Sequence, residues 1–554
     1  MAESRVSQQP RKSGRYPALP RVCRWLRTAS PGRHVRLPGW LVVLALILAL
    51  PAGAEIAELQ VLATTDLHAH LDRGEGEENS GGWLRVATLI RQRREAAGSE
   101  KTLLVDCGDT VEGTFIGLVS RGEVALDLLK ALKYDVWVPG NHEFDFGTSR
   151  LREIFTSMSG PLLCGNLELG TTASRPLTFP AWRMFEKQGV RVAVIGATAS
   201  YLDQWLWGKD LAGYRVEPAL DMLRRVMPDV HKAKADVIIL AIHQGWLFKD
   251  PRGVNELPAI VRRFPEIDLV LGGHTHQTVP GEKIGFRTWY VQPGYCGSHL
   301  AVVRVKVDTA KHAVIDIESE LLPAAATVPF DPEAERVVQG WERKTANAGW
   351  VPAGTLKNEI SATGTPGENC GTSELICQAI AAATGAQVVL HGKLTMVSLP
   401  AGRISTAKLF ALIPFENSIG VAWLAPADLR RVIAEQYGER GTASYNGVWG
   451  VQVTVDHQGQ VTELRWPDGR PLAADVRIKV AANSYVIAGG GGRNPILREM
   501  VRAPAAKLED TGVNSRDAVL EFLRTHPDCT LTPRRWVQTE PDAAPVKQEP
   551  LSGL

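Results

Sequence analysis

Several things are scarce in this 554-residue chain. Cysteine occurs seven times with no C-x-x-C pair, so neither a zinc cluster nor a redox dithiol has its usual spacing. Cys23 falls in the leader; Cys107, Cys164, Cys296, Cys370, Cys377 and Cys529 are scattered. An even six permits disulfides outside the cytoplasm but outlines no framework, and Cys370 and Cys377 are the nearest pair. No internal repeat is visible, and no low-complexity tract is long enough for general disorder. The longest apolar run is the ten residues Leu41–Leu50, short of the ~20 a spanning helix needs.

That run belongs to a leader unlike the rest. The first 54 residues hold nine Arg or Lys and one acid, Glu3, then the apolar stretch, then Pro51-Ala52-Gly53-Ala54. This is the pattern of a secretory signal cleaved after Ala54, with an uncleaved anchor as the alternative. Its removal takes nine of 62 basic residues and one of 60 acids, so the formal charge moves from +2 to −6. A mildly acidic surface lacks the basic face of a protein that tracks a phosphate backbone, so a small-molecule partner is expected and a nucleic-acid polymer is not. The mature protein is expected outside the cytoplasm, periplasmic or extracellular, monomeric and without a stable membrane span.

Length favours two domains. Short apolar runs at 59–64, 102–106, 136–138, 190–196, 237–242 and 269–271 read as strands buried on both faces. Helical periodicity between them at 83–94, 125–132 and 219–232 gives an α/β layout. Expected boundaries are a first domain at 55–325, a linker with a helical connector at 326–350, a second mixed α/β domain at 351–536, and a loose polar tail at 537–554.

The polar residues of interest follow the strands of the first domain. They are Asp66 and His68; Gly108-Asp109; Gly140-Asn141-His142-Glu143; His243; and Gly272-Gly273-His274-Thr275-His276. Loops leaving one edge of an open sheet converge, so ligands far apart in sequence can meet. Imidazole with carboxylate suits Zn, Mn or Fe, and two such ions ~3.5–4 Å apart can lower the pKa of water and clamp phosphoryl oxygens for in-line attack. Asp109 is the candidate bridge between them.

The ordered set resembles the calcineurin-like metallophosphoesterases, and the whole chain is similar to the bacterial 5'-nucleotidase, UDP-sugar hydrolase and 2',3'-cyclic nucleotide phosphodiesterase family. The resemblance implies a two-sheet β-sandwich domain flanked by helices. It further implies that Asp66, His68, Asp109 and His276 hold one divalent ion while Asp109, Asn141, His243 and His274 hold the other. It places His142 opposite the substrate as the group that stabilises the transition state or protonates the leaving oxygen. Asp145 then orients the imidazole and raises its pKa, although by itself it also fits the N-cap of a helix at 146–155. His70 and Glu143 read either as partners of the ligands or as solvated side chains.

The second domain carries Ile413-Pro414-Phe415-Glu416-Asn417 and Asn483-Ser484-Tyr485 followed by four glycines at 489–492, similar to the family's substrate-binding domain. The resemblance implies a nucleobase between two aromatic rings. Tyr485 is one candidate, with Tyr445 or Trp449 as the opposite face, and Phe415, Asn417 and Arg493 complete the candidate substrate residues. The pattern is broken twice: Gly491 stands where the family has an Asp for ribose, and Met396 where it has a phosphate-binding Arg. Lys393 or Arg493 could supply the lost charge. The leading expectation is a 5'-nucleotidase-like hydrolase. The alternatives are a cyclic-nucleotide phosphodiesterase, a hydrolase of another phosphoester, or a non-catalytic binding protein.

Overall fold

In the computed structural model, residues 56–71, 81–170, 177–208, 211, 213–247, 255–415 and 417–540 are described. The expected signal segment and most of the expected tail lie outside them.

Two large sheets form the body of the first half, which also holds a small three-stranded sheet of Leu167–Leu169, Leu177–Thr178 and Tyr214–Val216. The first runs β11-β10-β1-β2-β3, from β1 (Ile56–Thr64), β2 (Thr102–Asp106), β3 (Val136–Trp137), β10 (His299–Asp308) and β11 (Ala313–Pro323). The second runs β8-β9-β7-β6-β5-β4, from β4 (Trp182–Lys187), β5 (Val190–Ala197), β6 (Val237–Ile242), β7 (Leu269–Leu271), β8 (Thr278–Lys283) and β9 (Trp289–Pro293). The β1–β2–β3 and β5–β6–β7 neighbours pair in parallel.

Side chains alternate along each strand, and here both faces are apolar. Leu59, Val61, Ala63, Leu103 and Val105 meet Val192, Val194, Ile239 and Ala241 in one core between the sheets. The intervening Leu62 and Leu104 pack outward under Trp83–Ala97 and Glu123–Ala131. Ala193, Ile195, Leu240 and Ile242 do the same under Ala219–Lys232. Helix, sheet, sheet, helix is the resulting order of layers. The apolar runs read from the sequence are these strands, which is why their C-terminal ends arrive together at one edge.

The second half has a four-stranded sheet in the order Val388–Leu390, Ile478–Asn483, Ser418–Leu424, Glu509–Asn514, with Gly371–Thr384 among the helices beside it. The expected connector is the helix Pro332–Thr345, capped by Asp331, whose carboxylate accepts from Glu333 and Ala334 N–H. One expectation is corrected here. The loose tail does not begin at 537, because Val537–Thr539 is a strand in parallel register with Gln452–Val455 and Trp536 is buried beneath it. The sequence left disulfides open; the six described cysteines are free thiols, Cys370 and Cys377 included. The described residues from 56 to 540 belong to one compact unit, so the halves pack together along a seam.

Candidate metal centre

Each candidate ligand sits within a few residues of a strand end. Asp66 and His68 follow β1, Asp109 follows β2, Asn141 follows β3, His243 follows β6 directly, and His274 and His276 follow β7. Five of these seven, Asp66, His68, Asp109, His274 and His276, have φ between 48° and 69°. Left-handed backbone is uncommon for side-chain-bearing residues and concentrates where geometry is functional. Gly108 (φ +92°) and Gly140 are needed for closeness: a Cβ on Gly108 would stand 2.3 Å from Gly140 N, and one on Gly140 would stand 2.2 Å from an Asp109 carboxylate oxygen.

Two groups form. Asp66, His68 and His276 offer ligand atoms within 4.8 Å of one another, and so do Asp109, His243 and His274. Their second atoms are already committed. His243 Nδ1 lies 2.6 Å from the Cys107 carbonyl and His68 Nδ1 lies 3.1 Å from the Glu112 carbonyl, which leaves each Nε2 for the centre. Backbone and hydroxyl donors hold the carboxylates: Thr65 Oγ1 and His274 N–H donate to Asp66, and His142 N–H donates to Asp109 at 2.8 Å.

The interior of this cluster makes little sense without cations. His68 Nε2 faces His276 Nε2 at 3.1 Å, His243 Nε2 lies 3.1 Å from Asp109 Oδ2, and both His243 Nε2 and Asn141 Oδ1 are buried without a hydrogen-bond partner. Lone pairs converging from N and O donors are what a pair of intermediate divalent ions requires. Burial pushes His68 and His274 down to about 3, so both imidazoles are neutral, as ligands must be. For Asp109 burial works the other way, but His243 and His142 outweigh it and hold the carboxyl well below its usual range.

His142 stands beside this set. Its Nδ1 is 2.7 Å from Asp145 Oδ2, and its ring lies 5.2 Å from that of His68. Burial opposes charge on the imidazole, yet the Asp145 and Asp109 carboxylates prevail and hold its pKa well above the ordinary histidine range. Asp145 does not cap a helix: a 3₁₀ turn, His142–Phe144, comes first, and the helix Gly147–Ser157 starts from Phe146.

Three buried acids stand behind the ligands: Glu143, which the sequence left open between a partner of the ligands and a solvated side chain, and Asp106 and Glu112, which it did not single out. Glu143 accepts from the N–H groups of Gly140, Asp109, Thr110 and Val111, tying the β2 and β3 loops together. Burial, with Asp109 nearby, pushes its carboxyl up to about 7. Asp106 accepts from Thr64, Gly108 and Thr110, and Glu112 reaches the His142–Asp145 pair. Their signal was proximity to the ligand motifs, which cannot separate a loop clamp from a solvated acid. His70 is partly buried, with Nδ1 3.2 Å from the His68 carbonyl.

The substrate residues divide. Phe415 crosses the seam and stacks on His142, with ring centres 5.6 Å apart and planes 27° apart. Asn417 Oδ1 accepts from Ser484 Oγ at 3.4 Å, and Tyr485 Oη accepts from Arg493 at 2.8 Å. Trp449 turns inward instead: its indole N–H donates to Glu374 and its ring tilts on Trp536, because Glu374, 6% exposed, needs donors. Tyr445 is buried edge-on against Tyr437, and Lys393 is spent on the carbonyls of Ala362 and Gly364. Gly491 meets Trp205 of the first half, whose Nε1 would lie 2.6 Å from a Cβ at that position; Trp205 in turn sits edge-on to His274 at 4.7 Å. Tyr295 stacks flat on His276 at 4.8 Å. Neither Trp205 nor Tyr295 carries a sequence motif.

Comparison with known proteins agrees with this geometry. Residues 59–278 match the model of the calcineurin-like phosphoesterases, and residues 352–499 match that of the 5'-nucleotidase C-terminal domain. The Bos taurus 5'-nucleotidase is 25% identical over 540 residues, covering 85% of this chain and 90% of that one. The endonuclease YhcR of Bacillus subtilis is 21% identical over 500 residues, covering 86% of this chain; the match spans 40% of that protein's length. A Staphylococcus aureus structure described as a 5'-nucleotidase superposes with a TM-score of 0.73 at 19% identity, over 88% of this chain and all of that one.

Proposed function

Because the chain belongs to the calcineurin-like phosphoesterases that carry a 5'-nucleotidase C-terminal domain, and is a metal-dependent hydrolase of phosphoric esters, we propose that it works outside the cytoplasm on small phosphate monoesters, nucleoside 5'-monophosphates first among them. The observation that carries this reading is the pair of converging donor sets with the His142–Asp145 couple beside them.

Asp66, His68, Asp109 and His276 are assigned to one divalent ion and Asp109, Asn141, His243 and His274 to the other, with Zn, Mn or Fe suited to the donors. When bound, such a pair activates water and neutralises charge on the phosphoryl oxygens. The protein's own residues do the rest. Asp145 takes Nδ1–H of His142 and keeps the ring charged and oriented, so Nε2 carries the proton that the leaving oxygen needs. Phe415 stacks on the imidazole face from the second half and so holds the ring in place. Tyr485, held by Arg493, supplies an aromatic surface for the leaving group.

Hydrolysis of a panel of monoesters and diesters by Mn²⁺- or Zn²⁺-loaded protein tests the proposal. Turnover of a nucleoside monophosphate supports it, and a metal-replete protein inactive on the whole panel overturns it. Gly491 against Trp205, with Met396 69% exposed, favours a second reading in which 2',3'-cyclic nucleotides or non-nucleotide esters are preferred. Faster cleavage of 2',3'-cyclic AMP than of AMP would select it.

A further inference from the structure

The rings Phe415, His142, His68, His276 and Tyr295 follow one another in a row, with centres 4.8 to 5.6 Å apart at each step. One end belongs to the acid and is covered from the second half by Phe415. The other end is open: Tyr295 is 49% exposed and the His276 side chain beneath it 43%. There the phenol ring lies flat on the imidazole, with planes 8° apart, so one face is spent on His276 and the other is left to solvent.

Tyr295 is held in this place by its loop. Gly294, Cys296 and Gly297, which flank it, have φ of +84°, +50° and +63°. Cys296 N–H donates to the Asp66 carbonyl at 2.8 Å, and a Cβ on Gly297 would stand 2.8 Å from the Gly82 carbonyl carbon. Left-handed backbone on both sides of one ring, tied to the main chain of a candidate ligand, is the kind of strain that collects at functional sites. It keeps a large apolar ring half in water beside the metal centre, where an aromatic face can stack on a second planar group.

A phosphoryl group held by the donor sets has its leaving oxygen at His142. In a monoester the other oxygens carry nothing more, whereas in a diester one of them carries a second organic arm, which must leave the centre on a side other than the acid's. We propose that Tyr295 is the subsite for that arm, a flat surface that takes a planar aromatic or heteroaromatic second substituent of a phosphodiester and so sets which diesters are cleaved. Water bonds to phosphorus, the P–O bond at His142 breaks with a proton passing to the departing oxygen, and the arm at Tyr295 stays on phosphorus as a monoester. This rests on the reading of the site as a phosphoester hydrolase, and it adds a substrate contact at the far end of the ring row.

The test gives metal-loaded native protein, Tyr295→Ala, Tyr295→Phe and Tyr295→Leu three esters with one leaving group: 4-nitrophenyl phosphate, methyl 4-nitrophenyl phosphate and bis(4-nitrophenyl) phosphate. The readout is kcat/KM on the bis-aryl ester divided by that on the methyl ester, which cancels any common effect of a loosened His276. In Tyr295→Ala this ratio falls about 5- to 30-fold, through KM, and the dissociation constant of diphenyl phosphate, from calorimetric titration, rises by a like factor relative to that of dimethyl phosphate. Tyr295→Phe keeps the flat ring and stays within about twofold of native on both measures. A ratio that falls less than about fivefold in Tyr295→Ala, or a Phe variant as impaired as the Ala variant, overturns the proposal. If elemental analysis shows that Tyr295→Ala has lost metal, Tyr295→Leu, which keeps apolar cover on His276 without a ring, decides by the same ratio. Native protein that cleaves the monoester and neither diester removes the subsite and leaves the hydrolase reading intact. Metal-replete native protein inactive on all three esters overturns both.

Discussion

His142 divides its two nitrogens between different tasks, one turned to Asp145 and the other left free for the leaving oxygen. Nδ1 is committed to Asp145, and its main-chain N–H supports Asp109 rather than competing with it. Replacing His142 with Ala should therefore leave the donor sets whole while removing the proton from the leaving oxygen. The expected result is a fall in kcat of roughly 10²–10⁴ on esters with poor leaving groups. Metal content by elemental analysis should match that of the native protein, and loss of both together would mean that His142 is part of the metal shell. At this scale the sequence was a good guide where chemistry forces a residue type and a poor one where only packing decides. Asp66, His68, Asp109, Asn141, His243, His274 and His276 could be picked out because nitrogen and oxygen donors recur after strands. Trp449 was a candidate face for the nucleobase, yet the need of buried Glu374 for donors turns its indole away, and no local pattern records that need.

Loops after β2 and β3 carry Asp109 and Asn141, and Glu143 joins them by accepting from four N–H groups. Glu143→Ala leaves those donors in a buried place at about 1–3 kcal/mol each, less whatever a new water recovers. A destabilisation of about 3 kcal/mol or more is expected. It should be seen in urea titration of the metal-loaded protein, with metal affinity lower by about 10- to 100-fold from calorimetric titration. Glu143→Gln, which accepts through one oxygen only, should fall between the two. Unchanged affinity in the Ala variant would show that the loops hold their shape without the clamp. The strands were legible because both faces are apolar and each run is brief. The loop around Leu202–Gln204 was not, since its role depends on the other half of the chain: Gln204 O accepts from Gly491 N at 2.8 Å, Arg498 pairs with Asp203, and Trp207 joins the second half's core cluster. Such contacts leave no periodicity behind them.

Across the whole molecule the seam couples metal binding to both halves. Phe415 rests on His142, Phe115 packs edge-on against Phe410 at 5.8 Å, and the 202–207 loop is seated on the glycine-rich turn. Without cations, Asp66 and Asp109 are buried carboxylates balanced only by histidines. Ions that bind the folded chain and not the unfolded one stabilise it by about 2.7 kcal/mol at a hundred times Kd. For one cooperative unit of about 500 residues, 1 kcal/mol moves Tm by about 1 °C, so removing two such ions by chelation should lower the midpoint by about 5 °C, with recovery on adding Mn²⁺ or Zn²⁺. Because the second half leans on the metal half along this seam, scanning calorimetry should show a single transition that moves as one. Two transitions, of which only one responds to chelator, would mean that the seam contributes little and that the halves are energetically separate. The same outcome would also weaken the assignment of Phe415 as the support of His142, since a ring that crosses a loose seam cannot keep its place against the acid.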